Sequence, residues 1–229
     1  MDAVCRGKQT LKPRGMGERL ALIVLATSSL FLGSCPASWS AESPSGLSLA
    51  SLRLVGRYSA AHACVISPRE ALTNGHVLDP RPFERDVPLS PYAWSDGAGD
   101  SGFLIPVMVE SSRDLGRVQP FHESDVFPHY LPLAATAPKS GDRIWLLGFD
   151  WSNRKNAMAD DVIEAKVLRV VALHVIFSPS GQPGSSGSCV VNESGEVVAI
   201  NEGSYELDDK AEAGLAVGVW GGLHKTPED

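Results

Sequence analysis

The stretch Gly181–Val191, GQPGSSGSCVV, packs three serines and three glycines into its first eight residues and then runs apolar. By composition alone, a Gly/Ser/Pro cluster of this kind is a turn feeding a strand. Such a loop can also bend sharply and present one hydroxyl for attack. A serine hydroxyl is a weak nucleophile and needs a base within hydrogen-bond reach, so the histidines matter. The segment Cys64–Asp79, CVISPREALTNGHVLD, leads an apolar strand through a proline turn to Thr73-Asn74-Gly75-His76-Val77. His62, Cys64 and His76 together invite a zinc reading. The close His-Ala-Cys spacing and the lack of a clear fourth ligand argue against it, and neither metal nor cofactor is expected.

The elements that must position these groups read as β. SLRLVGRYS alternates apolar and polar residues from Ser51, and ACVIS is a short apolar run closed by Pro68. EALTNGHVL reads as a second apolar stretch, and GFLIPVMVE as a strand broken by Pro106. GDRIWLLGF follows a Gly-Asp turn, and VIEAKVLRVVALHVIFS reads as two strands or one long bent one. SCVVN, a turn over Glu193–Gly195, and EVVAINEG form a hairpin, and AGLAVGVW is a last strand. Residues 80–102 show no apolar period and read as a surface loop. Many short strands with Gly/Pro turns and little helical periodicity indicate an all-β sandwich or barrel. No internal repeat is visible.

Composition narrows the class. The chain has 229 residues, 43% hydrophobic and 21% charged, which suits one globular domain or two small lobes sharing a core. Lys and Arg nowhere cluster into a basic footprint, so nucleic acid is not an expected partner. Residues 1–34 differ from the rest. Arg6, Lys8, Lys12, Arg14 and Arg19 precede the apolar run Leu20–Leu32, a basic flank and short core that fit a signal peptide and fall short of a membrane span. Met16 would give a tighter leader than Met1. The run ends in Leu32-Gly33-Ser34-Cys35, which resembles the bacterial lipobox and implies a lipid anchor on Cys35. The alternative is ordinary cleavage near Ser38-Trp39-Ser40. Either route exports the protein to the periplasm or cell envelope, an oxidising setting. The remainder keeps 15 basic and 25 acidic residues, for a net charge of −10. Residues 35–50 are Ser/Pro/Ala-rich and read as a tether, leaving 51–229 as the domain.

The setting of His76 resembles the trypsin-like serine peptidases, whose strand–turn–strand ends in a Thr-(Ala/Asn)-x-His-(Cys/Val) motif. ISPREALTNGHV is similar to bacterial members of the glutamyl-endopeptidase and HtrA-like branches. In that family the nucleophile is the third residue of Gly-x-Ser-Gly-(Gly/Ser), and Gly184-Ser185-Ser186-Gly187-Ser188 fits, which names Ser186. The resemblance implies an oxyanion hole from the N–H groups of Gly184 and Ser186. For the acid it offers Asp114, which opens Asp-Leu-Gly-Arg-Val, and Asp125, where Pro128 interrupts the strand that should follow. Asp114 is the better match, 27 residues before Gly141 of the Gly-Asp turn, although Arg117 departs from the family pattern. The C-terminal run GEVVAINEGS…AGLAVGV also follows the HtrA-like pattern, so the resemblance covers Leu52 to Gly222.

The resemblance implies two six-stranded β-barrel lobes with the active site in the cleft between them, and a serine endopeptidase acting on polypeptide through His76, Asp114 and Ser186. It places the substrate pocket at Asn201, Glu202 and Gly203. Asn201 stands where glutamyl endopeptidases carry a His, so no preference for Glu is implied. HtrA proteins carry a PDZ domain after the protease, and no such domain is expected before Asp229. Once the leader is removed, Cys64 and Cys189 are the domain cysteines besides the anchor candidate. The family fold brings their strands together behind the nucleophile, which implies a Cys64–Cys189 disulfide. The alternative function is a catalytically silent member of the same fold, working as a binding module at the cell envelope.

Overall fold

The computed structural model describes residues 46–55, 60–78, 91–149, 160–207 and 210–221. The leader, Cys35 and most of the expected tether lie outside them. Six strands make a first closed barrel: β1 (Ser51–Val55), β2 (Ala60–Ser67), β3 (Glu70–Thr73), β4 (Tyr92–Ser95), β5 (Ser101–Glu110) and β6 (Leu115–Pro120). Six more make a second: β7 (Arg143–Phe149), β8 (Asp160–Val171), β9 (His174–Ser178), β10 (Cys189–Val191), β11 (Val197–Glu206) and β12 (Glu212–Gly218). The first barrel runs β1-β2-β3-β6-β5-β4 and the second β7-β8-β9-β12-β11-β10, so both close by the same antiparallel order. The all-β double barrel implied by the sequence is therefore the fold.

Four local expectations differ. The segment read as a loop over 80–102 contains β4, Tyr92-Ala93-Trp94-Ser95, which pairs with both β1 and β5 and closes the first barrel. It is too short, and too evenly half-buried, to show a period. Pro106 does not break β5. The register shifts between Pro106 and Met108, so Val107 bulges out and the strand continues past the missing N–H. EALTNGHVL is not one strand: β3 ends at Thr73 and the chain turns into a single helical turn, α1 (Gly75–Leu78). The end of the expected tether is part of the fold, because Leu47–Ala50 form a 3₁₀ turn with Leu47 and Ala50 buried. VIEAKVLRVVALHVIFS resolves into the two strands β8 and β9, joined at Ala172 and Leu173.

The barrels share a core. Leu52 and Leu72 of the first pack in one cluster with Leu147, Cys189, Ile200 and Val217 of the second. Leu146, Val190, Ala199 and Ala216, each one residue away on the same strands, face the interior of the second barrel instead. The period-2 geometry of a strand thus splits β7 and β10 between two apolar environments. That is why both read as unbroken apolar runs.

Cys64 of β2 and Cys189 of β10 are joined by a disulfide with their Cα atoms 4.9 Å apart. The bond crosses from one barrel to the other, and Ser51 Oγ adds a buried hydrogen bond to the Leu147 carbonyl beside it, 2.9 Å. Because the bridge closes a separation of 125 residues, its loss should destabilise the fold by about 4–5 kcal/mol in the chain-entropy account. Urea unfolding of the C64A/C189A variant, or of the wild type under a reductant, is expected to show a midpoint lowered to match.

Candidate active site

Register places the first two groups. Thr73, the last residue of β3, pairs with Gly116 of β6, so the chain just after β3 lies beside the chain just before β6. Those neighbours are His76 on α1 and Asp114. The Asp114 carboxylate uses both oxygens on this histidine. Oδ1 accepts from the His76 backbone N–H at 2.7 Å, and Oδ2 accepts from Nδ1 at 2.7 Å. Asp114 sits at φ 48°, in the left-handed region that Asp tolerates better than most residues. Asn74 Nδ2 donates to its carbonyl at 3.3 Å. With Nδ1 donating to the carboxylate, neutral His76 presents Nε2 as an acceptor.

Asp125, the other candidate acid, lies on an exposed turn where its Oδ1 accepts from Ser124. Arg117, the departure from the motif, lies on β6 and forms an ion pair with Glu70 on β3 at 2.7 Å.

The serine loop is held from behind. The Ser186 carbonyl accepts from the His62 backbone N–H of β2 at 2.7 Å. Ser185 N–H donates to Gln182 O, Gly187 N–H to Asn201 O, and Ser188 N–H to Ser185 O, at 2.8–3.1 Å. Gly187 has φ 85°, and any side chain there would run into the His62 carbonyl. Gly184 turns at φ 93°. Among the described residues, the N–H groups of Gly184 and Ser186 are the members of Gly184–Ser188 that donate to nothing. They are the two donors named by the motif.

The Ser186 hydroxyl donates to the Glu202 carbonyl at 3.2 Å. A direct bond to His76, expected from the sequence, is absent among the described residues. The side chain of Glu202, the residue whose carbonyl takes the serine hydroxyl, adds to the negative charge that acts on His76.

The expected pocket residues separate. Asn201 is fully buried and turned into the second barrel, where its Nδ2 donates to the Ser185 carbonyl at 2.9 Å and to Ser185 Oγ at 3.0 Å. Its side chain supports the serine loop. The register shifts between Asn201 and Gly203, so Glu202 sits in a bulge of the strand. Gly203 has open space where a side chain would stand. From Glu202 onward β11 pairs only with β12 among the described residues, since β10 ends its pairing at Ile200. Residues 202–206 therefore present a free strand edge.

The charges around His76 act together. The hydrogen bond to Asp114 raises its pKa above the ordinary imidazole value; burial opposes this, and the negative charges of Asp114 and Glu202 add to the rise. Burial pushes the Glu202 carboxyl up, as does Asp114, against the opposing pull of His174 and His76. His174 Nε2 lies 3.8 Å from Glu202 Oε2. Sequence reasoning missed His174 and Asn74, and assigned His62 no role. A polar residue in the otherwise apolar strand AAHACVIS was the available signal for His62.

Residues 61–200, more than half of the chain, match a family described as trypsin-like peptidase domain. Comparison with curated proteins gives no match. Among solved structures, the chain resembles an inactive serine-to-alanine mutant of Rv3671c from M. tuberculosis at 17% identity and a TM-score of 0.59, covering 76% of this chain and 83% of that one. A serine endoprotease from Yersinia pestis gives 17% identity and 0.60, over 75% and 59%. The MamO protease domain from Magnetospirillum magneticum gives 15% and 0.58, over 76% and 93%. At these identities the structural likeness speaks for the fold.

The electrostatics predict a titration. The His76 imidazole, followed by NMR, should titrate above about 6.5. D114N should lower its pKa most, and E202Q should lower it by less, because each removes negative charge that favours the imidazolium.

Proposed function

Because the chain belongs to the trypsin-like peptidase domain family, we propose that it is a serine endopeptidase working through Ser186, His76 and Asp114. The observations that carry this reading are the His76–Asp114 pair and a serine loop with two N–H groups left over. In the proposed cycle the Ser186 hydroxyl leaves the Glu202 carbonyl for His76 Nε2. As the proton passes to Nε2, the serine oxygen bonds to the substrate carbonyl carbon and the π pair moves onto the carbonyl oxygen. The N–H groups of Gly184 and Ser186 take up that negative charge, a contribution of about 3–4 kcal/mol per fixed donor in comparable sites.

His76, now an imidazolium stabilised by Asp114, gives its proton to the leaving amine as the peptide C–N bond breaks. Water then attacks the acyl-enzyme by the same route, and Ser186 is restored. Polypeptide is the substrate this site suits, because a backbone in extended form can add to the free edge of β11 at Glu202–Ser204. Catalysis needs neutral His76, so the raised pKa should set the acid limb of kcat/KM above about pH 6.5.

A serine-directed fluorophosphonate should label Ser186 in the folded protein, and S186A should abolish both labelling and peptide hydrolysis. D114N should cost about 10⁴ in kcat, while D125N should leave turnover unchanged. Folded wild-type protein that takes no label would support the silent binding module instead. We further propose that the protein is exported and anchored through Cys35. Mass spectrometry of the mature protein should find a lipid-bearing peptide beginning at Cys35, and a start beyond that residue would refute the anchor.

A further inference from the structure

The imidazole of His62 is buried in the seam between the barrels, 1% exposed, and has no part in the proton transfers just described. Its Nδ1 lies 3.0 Å from the Gly184 carbonyl oxygen. A carbonyl only accepts, so Nδ1 carries the hydrogen in this contact. The backbone of His62 is fixed at the same time. Its N–H donates to the Ser186 carbonyl, and its own carbonyl accepts from Thr73 Oγ1 at 2.6 Å. The side chain is therefore aimed from a rigid base, two residues from the disulfide at Cys64.

The two unpaired N–H groups of the serine loop are held in place differently. The peptide carrying the Ser186 N–H is pinned through its own oxygen, the Ser185 carbonyl, which accepts from Asn201 Nδ2 and from Ser188 N–H. The Gly184 N–H depends on the next peptide along. That peptide, from Gly184 to Ser185, is pinned at both ends: its N–H donates to Gln182 O and its oxygen accepts from His62 Nδ1. Gly184 is the weak point of this arrangement, because glycine crosses between backbone basins at little cost. If the His62 donor were lost, the carbonyl would be left without its partner and would turn to find another. The Gly184 N–H would swing with it.

We propose that His62 is a positioning residue for the oxyanion hole, holding the Gly184–Ser185 peptide so that the Gly184 N–H stays aimed at the developing charge. The proposal rests on the serine-peptidase reading and adds a residue that touches no substrate.

The test compares H62L, which keeps bulk without a donor, with H62N, whose side-chain amide can place an N–H where Nδ1 stands. H62Q, with its amide one bond farther out, is a second loss variant should H62L fail to fold. All are made in the full chain, and rates are normalised to the sites titrated by fluorophosphonate. The loss variant should lower kcat about 10- to 100-fold with KM little changed, short of the 10²–10³ seen when a donor is removed outright. Affinity for a peptide boronate, which mimics the tetrahedral oxyanion, should fall in parallel, and H62N should recover most of both. A folded loss variant with kcat within about twofold of wild type, or an H62N as impaired as H62L, overturns the proposal while the wild-type labelling still stands. Wild-type protein without labelling would overturn the reading beneath it.

Discussion

The strand β2 carries the seam on which the site depends. Within three residues it gives a backbone N–H to the Ser186 carbonyl, an imidazole to the Gly184 carbonyl and a sulfur to Cys189. His76 and Asp114 belong to the first barrel and Ser186 to the second, so the distance between the imidazole and the hydroxyl is a distance between barrels. Among the described residues, the two barrels are separate sheets with no strand paired across that gap. Short contacts from β2 into the serine loop fix it, backed by an apolar cluster drawn from both barrels. Packed interiors resist continuous deformation, so this seam fixes the serine loop against the first barrel.

Electrostatics at the site rest on an unusual balance. His76 has one carboxylate in contact and a second, Glu202, nearby. Both favour the charged imidazolium over the neutral ring. Glu202 is itself half-buried, with His174 close to its Oε2, so its charge is held in place by the fold. The residue whose main-chain carbonyl receives the serine hydroxyl thus also supplies, through its side chain, part of the field at the histidine.

Much of this was legible in the sequence, because particular residues are constrained by their jobs. The GSSGS and Thr-Asn-Gly-His motifs carried the family resemblance, and that resemblance implied the double barrel and the bridge between Cys64 and Cys189, both of which the structure contains. Asp114 stood out by its following Leu-Gly. The misses have physical causes. Tyr92–Ser95 is only four residues of mixed burial, yet it closes a barrel, a role set by its partners β1 and β5 rather than by its own pattern. The bulge at Pro106 and the shift after Asn201 are register events, and register is a property of pairs of strands. His62 could be seen as a polar intruder in β2, but its target is 122 residues away in the chain. The identical strand order of the two barrels left no repeat in the sequence, since topology constrains pairing and leaves side chains free to diverge.

The staple between the barrels has a further consequence for how the molecule survives damage. The segment between Pro120 and Arg143 is mostly exposed, with Phe121, Val126 and Tyr130 about half accessible or more. Exposed connections of this sort are where proteolytic nicks concentrate. A cut there would separate the half bearing the imidazole from the half bearing the hydroxyl, yet Cys64 and Cys189 would still tie the fragments together. Self-cleavage or attack by another protease would yield a two-chain molecule whose halves part only when thiols reach the bond.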